Sequence, residues 1–197
     1  MKTKNRILMV EHDPSDIDLI QRELHNAISN YETLVVETEA AFTEALHNFN
    51  PNLILSDYAL PQFAGPAAFE IKEKLAPQTP FIFVSGTIGE ENSIELIKNG
   101  VTDYALKDKL YTLPVKIKRA LREAEIKVQK IKTEEELIKS EQRLARAQEV
   151  AHLGSWETNL TDMSVYWSDE IYRIFEIDPH NFKPTHQKFL NFVHPDD

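Results

Sequence analysis

The 197-residue chain contains no cysteine. That absence removes disulfide scaffolds, thiol catalysis and Cys-ligated zinc or iron–sulfur sites together. Basic residues are also in the minority, 22 Lys and Arg against 32 Asp and Glu, for a formal charge of -10. A chain that wraps the nucleic-acid backbone needs clustered positive charge, so no nucleic-acid partner is expected. No apolar run approaches the roughly 20 residues needed to span a bilayer. The start, Met1 to Arg6, leads into only four apolar residues, Ile7–Val10, too few for a signal-peptide core. What remains is a chain with 42% hydrophobic residues, enough to bury a core. Its length suits one large domain or one domain and a second piece. A cytoplasmic location, with no membrane partner, is the expectation.

Charge is unevenly spread. Residues 114–149 hold ten Lys and Arg and seven Glu, no Gly, and only Pro114, at their start. The rest of the stretch is mostly Ala, Leu, Gln and Ile, good helix formers apart from Ile. One long helix is predicted from about Leu113 to about Ala151, stopped by Gly154. Its apolar residues Ile117, Leu121, Ala124, Val128 and Ile131 alternate four and three apart, a heptad seam that lets two helices supercoil. The seam meets Glu135 and resumes near Leu137, Ile138 and Leu144, as after a stutter. A homodimer through residues 113–150 is expected. An amphipathic helix lying on its own domain would explain the first three turns equally well.

Ahead of the helix, short apolar runs alternate with helical patterns. Strands are predicted at Ile7–Val10, Leu34–Glu37, Leu53–Ser56, Phe81–Ser85 and Asp103–Leu106. Helices are predicted from Pro14 to about Ser29 and over Ala40–Phe49, Pro66–Leu75 and Glu90–Asn99. This order implies an α/β fold, a five-stranded parallel sheet covered on both faces. Ligands of such sheets bind beyond the carboxyl ends of the strands. Those ends read Glu11-His12-Asp13, Ser56-Asp57-Tyr58, Ser85-Gly86-Thr87 and Leu106-Lys107-Asp108. Clustered carboxylates repel unless a cation neutralises them, and hard oxygen ligands suit Mg²⁺. A nucleophilic Asp with Mg²⁺, a lysine and a hydroxyl can stabilise phosphoryl transfer to a carboxylate.

At these residues, over about 4–122, the chain resembles a two-component response-regulator receiver domain. The resemblance is carried by Ile7-Leu8-Met9-Val10-Glu11-His12-Asp13-Pro14, Leu55-Ser56-Asp57-Tyr58-Ala59-Leu60-Pro61, Phe83-Val84-Ser85-Gly86-Thr87 and Asp103-Tyr104-Ala105-Leu106-Lys107. It implies a doubly wound, flavodoxin-like sheet and a role for each residue. Asp57 would accept a phosphoryl group from a phosphohistidine on a histidine kinase or phosphotransfer protein. Ser85 and Lys107 would bind its oxygens. Glu11, Asp13, Asp57 and the backbone carbonyl of Tyr58 would hold Mg²⁺, and Tyr104 would be the switch aromatic. Two positions depart from the pattern. His12 stands where the second acid usually ligates Mg²⁺, and imidazole suits Zn²⁺, Ni²⁺ or Cu²⁺ better; backbone hydrogen bonding is the preferred reading of this side chain. Asp108 stands where a proline often follows a cis bond, and a cis bond before Asp is improbable. Single residues also have plain readings: Asp57 before Pro61 can begin a turn, Ser85-Gly86 can be loop chemistry, Lys107 can be solvated, and Tyr104 can be an edge-strand core residue. His25 and His47 read as surface residues.

After Gly154 the composition changes. Ser155–Leu160 and Met163–Trp167 read as a hairpin around Thr161-Asp162, with a helix from Ser168, its cap, to Phe175. Ala151-His152-Leu153-Gly154-Ser155-Trp156-Glu157, Trp167-Ser168-Asp169-Glu170, Arg173 to Pro179 and Phe192-Val193-His194-Pro195-Asp196-Asp197 resemble the opening of a PAS sensor domain, an incomplete α+β segment whose remaining strands are missing. Its aromatic residues read as core packing rather than a cofactor box; a PAS ligand is unknown. The expected organisation is a receiver over 1–122, a coiled-coil helix over 123–150 and a truncated PAS segment over 151–197, the front of a larger, hybrid histidine kinase-like sensor. The truncated segment is expected to expose apolar surface and an open sheet edge. No phosphoacceptor-histidine helix or ATP-binding glycine box is present, so no kinase catalytic region is expected in this chain. The alternatives are a phosphorylation-impaired receiver serving as a dimerisation module and an aspartate-nucleophile phosphatase, which Asp57-Tyr58-Ala59, lacking a second acid, disfavours. A DNA-binding regulator is disfavoured because no helix-turn-helix follows.

Overall fold

The computed structural model describes residues 4–86, 97 and 100–192. Contacts divide the chain into two compact units, Met1–Gln129 and Lys130–Asp197. In the first, β1 (Asn5–Val10), α1 (Pro14–Ala27), β2 (Tyr31–Val36), α2 (Glu39–Asn48), β3 (Leu53–Asp57), α3 (Gly65–Leu75), β4 (Phe81–Ser85) and β5 (Asp103–Leu106) alternate as the sequence pattern requires. A 3-10 turn over Lys107–Thr112 leads into α4 (Leu113–Ala151). The helix expected over Glu90–Asn99 falls, apart from Ile97, outside the described residues.

All strand pairs in this sheet are parallel, in the order β2-β1-β3-β4-β5. β3 and β4 are buried along their whole length, which explains why their sequences are apolar without alternation. Successive residues of the central strands feed opposite cores. Ile7, Met9, Leu53, Leu55, Ile82 and Val84 meet Ile20 and Leu24 of α1 and Leu113, Ile117 and Ala120 of α4. Leu8, Val10, Ile54, Phe81 and Phe83 meet Phe42, Ala45 and Leu46 of α2 and Ala68 of α3. The sheet is therefore doubly wound. β2 begins at Tyr31, three residues before the predicted start, because Tyr31, Glu32 and Thr33 pair with Asn5, Arg6 and Ile7.

In the second unit, β6 (Trp156–Thr158) and β7 (Val165–Trp167) form an antiparallel pair, followed by α5 (Asp169–Ile174) and α6 (His186–Leu190). Trp167 is buried among Tyr172, Phe175, Phe182, Phe189 and Phe192, while Trp156, Leu160, Met163 and Tyr166 remain exposed. Two local expectations are corrected. Helix α4 stops at His152, not at Gly154: His152 has φ 51°, and the N–H groups of His152 and Leu153 close onto the carbonyls of Glu149 and Gln148, the Schellman arrangement. Gly154 is instead required because a Cβ there would collide with Ile171. Ser168 occupies the cap position of α5 but makes no side-chain cap bond. Its hydroxyl oxygen accepts the Ser155 N–H at 3.0 Å.

Candidate functional site

The order in which strands are added reverses between β1 and β3, since β2 flanks β1 on one side and β3 on the other. Such a switch point opens a crevice at the strand ends. Glu11, the first residue after β1, and Asp57, the last of β3, are placed there; both are buried. Ser85, buried, ends β4 on the neighbouring strand, and Lys107 directly follows β5.

Lys107 ties the ends of β1 and β3 together. Its ammonium donates to Glu11 Oε2 at 2.8 Å, to Asp57 Oδ2 at 2.8 Å and to Asp16 Oδ2 at 2.5 Å. Burial disfavours the charged ammonium, but the hydrogen bonds to Asp16, Asp57 and Glu11 and the pull of the Glu11 charge outweigh it and hold Lys107 well above the usual lysine range. Three carboxylates around one ammonium leave an excess of negative charge, the condition that draws in a further cation. Every peptide bond among the described residues, Lys107–Asp108 included, is trans, and the lysine reaches Asp57 with Asp108 in place of proline.

The other contacts fix the carboxylates in place. Glu11 Oε1 accepts the backbone N–H groups of His12 and Asp13 at 2.8 and 3.1 Å. Asp57 Oδ1 accepts the Ala59 N–H at 3.2 Å. The Tyr58 carbonyl accepts the Gly65 N–H at 3.2 Å and keeps a second lone pair. Gly65 is obligatory: a Cβ there would sit 2.5 Å from the Asp57 carbonyl oxygen and 2.7 Å from the Phe83 ring. Tyr104 is half-buried against the α2–α3 core, and Lys116 Nζ lies 5.3 Å from the centre of its ring.

Asp13 and His12 differ from expectation in what they touch. Asp13 is the N-cap of α1, its Oδ1 accepting the Ser15 N–H at 2.8 Å. That bond holds its carboxyl below the usual range. The His12 ring pairs with a carboxylate instead of the expected backbone: Nδ1 lies 3.2 Å from Glu11 Oε1. Among the described residues, Glu11, His12 and Asp57 form a group whose potential ligand atoms lie within 4.8 Å of one another. The carboxylates and the Tyr58 carbonyl are oxygen donors of the kind Mg²⁺ takes; the imidazole is not. Sequence reasoning missed Asp16. Its signal was present: an acid one turn into a helix that begins right after Glu11 lies beside the same strand end.

Comparison with known proteins gives the same picture. The family model of the response regulator receiver domain matches residues 7–117. The fold is similar to a CheY-like response regulator receiver domain protein from Methanospirillum hungatei, 30% identical, with a TM-score of 0.56, covering 64% of this chain and 99% of that one. It is also similar to the signal receiver domain of a LuxO repressor protein from Vibrio parahaemolyticus, 21% identical, TM-score 0.58, covering 64% and 95%. A third likeness is a receiver domain from Clostridium thermocellum, 19% identical, TM-score 0.54, covering 62% and 98%. No curated protein matches the chain.

Proposed function

We propose, from the premise that this chain belongs to the response regulator receiver family through residues 7–117, that Asp57 is the residue phosphorylated in a two-component relay. The observation that carries the reading is Lys107, whose ammonium lies 2.8 Å from both Asp57 and Glu11 across 50 and 96 residues of sequence. Receivers take their phosphoryl group from histidine kinases or phosphotransfer proteins, and a phosphohistidine is the donor assigned to this site. An Asp57 carboxylate oxygen forms the bond to phosphorus as the phosphorus–nitrogen bond breaks, and the departing imidazole keeps the electron pair and takes a proton from solvent. Lys107 exchanges its Asp57 contact for a phosphoryl oxygen, and the Ser85 hydroxyl donates to another. Receiver domains bind Mg²⁺ at such acidic residues; here Glu11, Asp57 and the Tyr58 carbonyl would hold the cation, which would supply charge neutralisation. Tyr104 is the switch aromatic in this reading.

Residues 1–122 form the receiver, 123–150 a coiled-coil helix and 151–197 the start of a PAS domain, as at the front of a hybrid histidine kinase-like sensor. Phosphorylation shifts an existing two-state equilibrium and alters the packing of α4 in a homodimer. The exposed apolar residues Val128, Ile131, Leu137, Ile138 and Leu144 support that role for the helix. A second reading, a phosphorylation-impaired receiver that acts as a dimerisation module, is favoured by one feature, the imidazole of His12 beside Glu11. Incubating the full chain with a small acyl phosphate and a divalent cation, then weighing the intact protein, separates the two. One added phosphoryl group, absent in Asp57→Ala, is expected; no mass gain under any divalent cation would leave the second reading.

A further inference from the structure

We propose that the cation site beside Asp57 selects a nitrogen-accepting first-row transition ion over Mg²⁺, and that His12 sets this choice. The inference takes its location from the phosphoryl-transfer reading, and its test uses no phosphoryl transfer.

Four observations carry it. The group whose ligand atoms approach one another is Glu11, His12 and Asp57, two carboxylates and one imidazole. Ligands on opposite sides of an ion with bonds of about 2.1 Å lie about 4.2 Å apart, so a span within 4.8 Å needs only a small contraction. The neighbouring acid does not join them: Asp13 caps α1 through the Ser15 N–H and is not among the residues whose ligand atoms converge, so nitrogen is the third side-chain donor. His12 Nδ1 also lies 3.2 Å from Glu11 Oε1. Bonds of about 2.1 Å at a tetrahedral angle separate neighbouring ligand atoms by about 3.4 Å, so with the proton on Nε2 the Nδ1 lone pair and this carboxylate oxygen are spaced as two ligands of one ion. Finally, Lys107 cannot neutralise the three carboxylates it touches, so the charge demand for a divalent ion persists.

Mg²⁺ satisfies that charge demand but binds imidazole poorly, whereas Co²⁺, Ni²⁺ and Zn²⁺ accept a mixed nitrogen and oxygen set. The His12 side chain is 44% exposed, so replacing it leaves the core intact. The experiment titrates CoCl₂ and MgCl₂ separately into the full chain by calorimetry, following the visible Co²⁺ spectrum, for the wild type, His12→Asp and His12→Ala. The expected result is a Co²⁺-to-Mg²⁺ affinity ratio about 10–100-fold higher in the wild type than in His12→Asp, with the nitrogen-ligand signature of Co²⁺ absent from both variants. The chain has seven histidines. If Co²⁺ binds His12→Ala as it binds the wild type, the imidazoles elsewhere account for binding and the proposal is overturned. It is equally overturned if His12→Asp leaves the ratio unchanged. A chain that passes this test but never gains a phosphoryl group on Asp57 loses the functional reading and keeps this one.

Discussion

Lys107 donates to Glu11, Asp16 and Asp57, and the three bonds raise its pKa above the ordinary 10.5. The sign of the linkage follows. A group whose folded pKa exceeds its unfolded value contributes stability that is complete below the unfolded value and is lost as pH climbs through the folded one. The unfolding free-energy difference between the wild type and Lys107→Met is therefore constant from neutral pH to about 10.5 and changes against the wild type above it, measured by urea unfolding at stepped pH. A difference that stays flat through the alkaline range would contradict the assignment of the charge to these three bonds. Legibility was uneven at this scale. Glu11, Asp57, Ser85 and Lys107 could be read because each follows or ends an apolar strand run. Asp16 was passed over, because an acid in the first turn of a helix is already explained by the helix dipole. His12 was visible as a departure, but its partner was not, since a ring can turn toward backbone or carboxylate with no trace in the sequence.

Elements were read more closely than their joints. The β4 and β5 spans and the limits of α4 match expectation because uninterrupted apolar runs and a glycine-free, charge-rich stretch admit little else. The connections obey local sterics that composition does not encode. Helix α3 begins at Gly65 rather than Pro66, since its backbone lies against the Asp57 carbonyl and the Phe83 ring. Gly65→Ala forces those groups apart in a filled core. It is expected to lower the unfolding free energy by about 1–3 kcal/mol and to shift the amide resonances of Asp57 and Tyr58. Denaturant unfolding with an unchanged midpoint would show that the joint is looser than described. The end of α4 gives the same lesson: His152, with a positive φ, does what the sequence assigned to glycine, and the nearby glycine answers to Ile171.

In the chain as a whole, α4 carries a series of apolar side chains that are left exposed along its length. Ile117 is fully buried on the sheet, yet Val128, Leu137, Ile138 and Leu144 are each more than half exposed. The pairs Lys130–Glu134 and Lys132–Glu136 line the same helix at i,i+4 spacing and contribute only a few tenths of a kcal/mol each. Burial of the apolar stripe against a second copy is the larger stabilisation on offer. Sedimentation equilibrium of the full chain is expected to give a dimer, and Ile131→Lys combined with Leu144→Lys a monomer. A monomeric wild type at tens of micromolar would remove the coiled-coil part of the proposal while leaving the receiver untouched.

The claim on which the rest depends is that a phosphoryl group is carried by Asp57. Acyl phosphates are reduced by borohydride, so a phosphorylated aspartate is converted to homoserine at its own position. Treating the full chain with a small acyl phosphate and either Mg²⁺ or Co²⁺, reducing it, and sequencing the peptides by mass spectrometry reads that position directly. The account predicts homoserine at 57 and nowhere else. Homoserine at Asp13 or Asp16, the one-carbon-longer alcohol 5-hydroxynorvaline at Glu11, or no reduced residue with either cation, would contradict it.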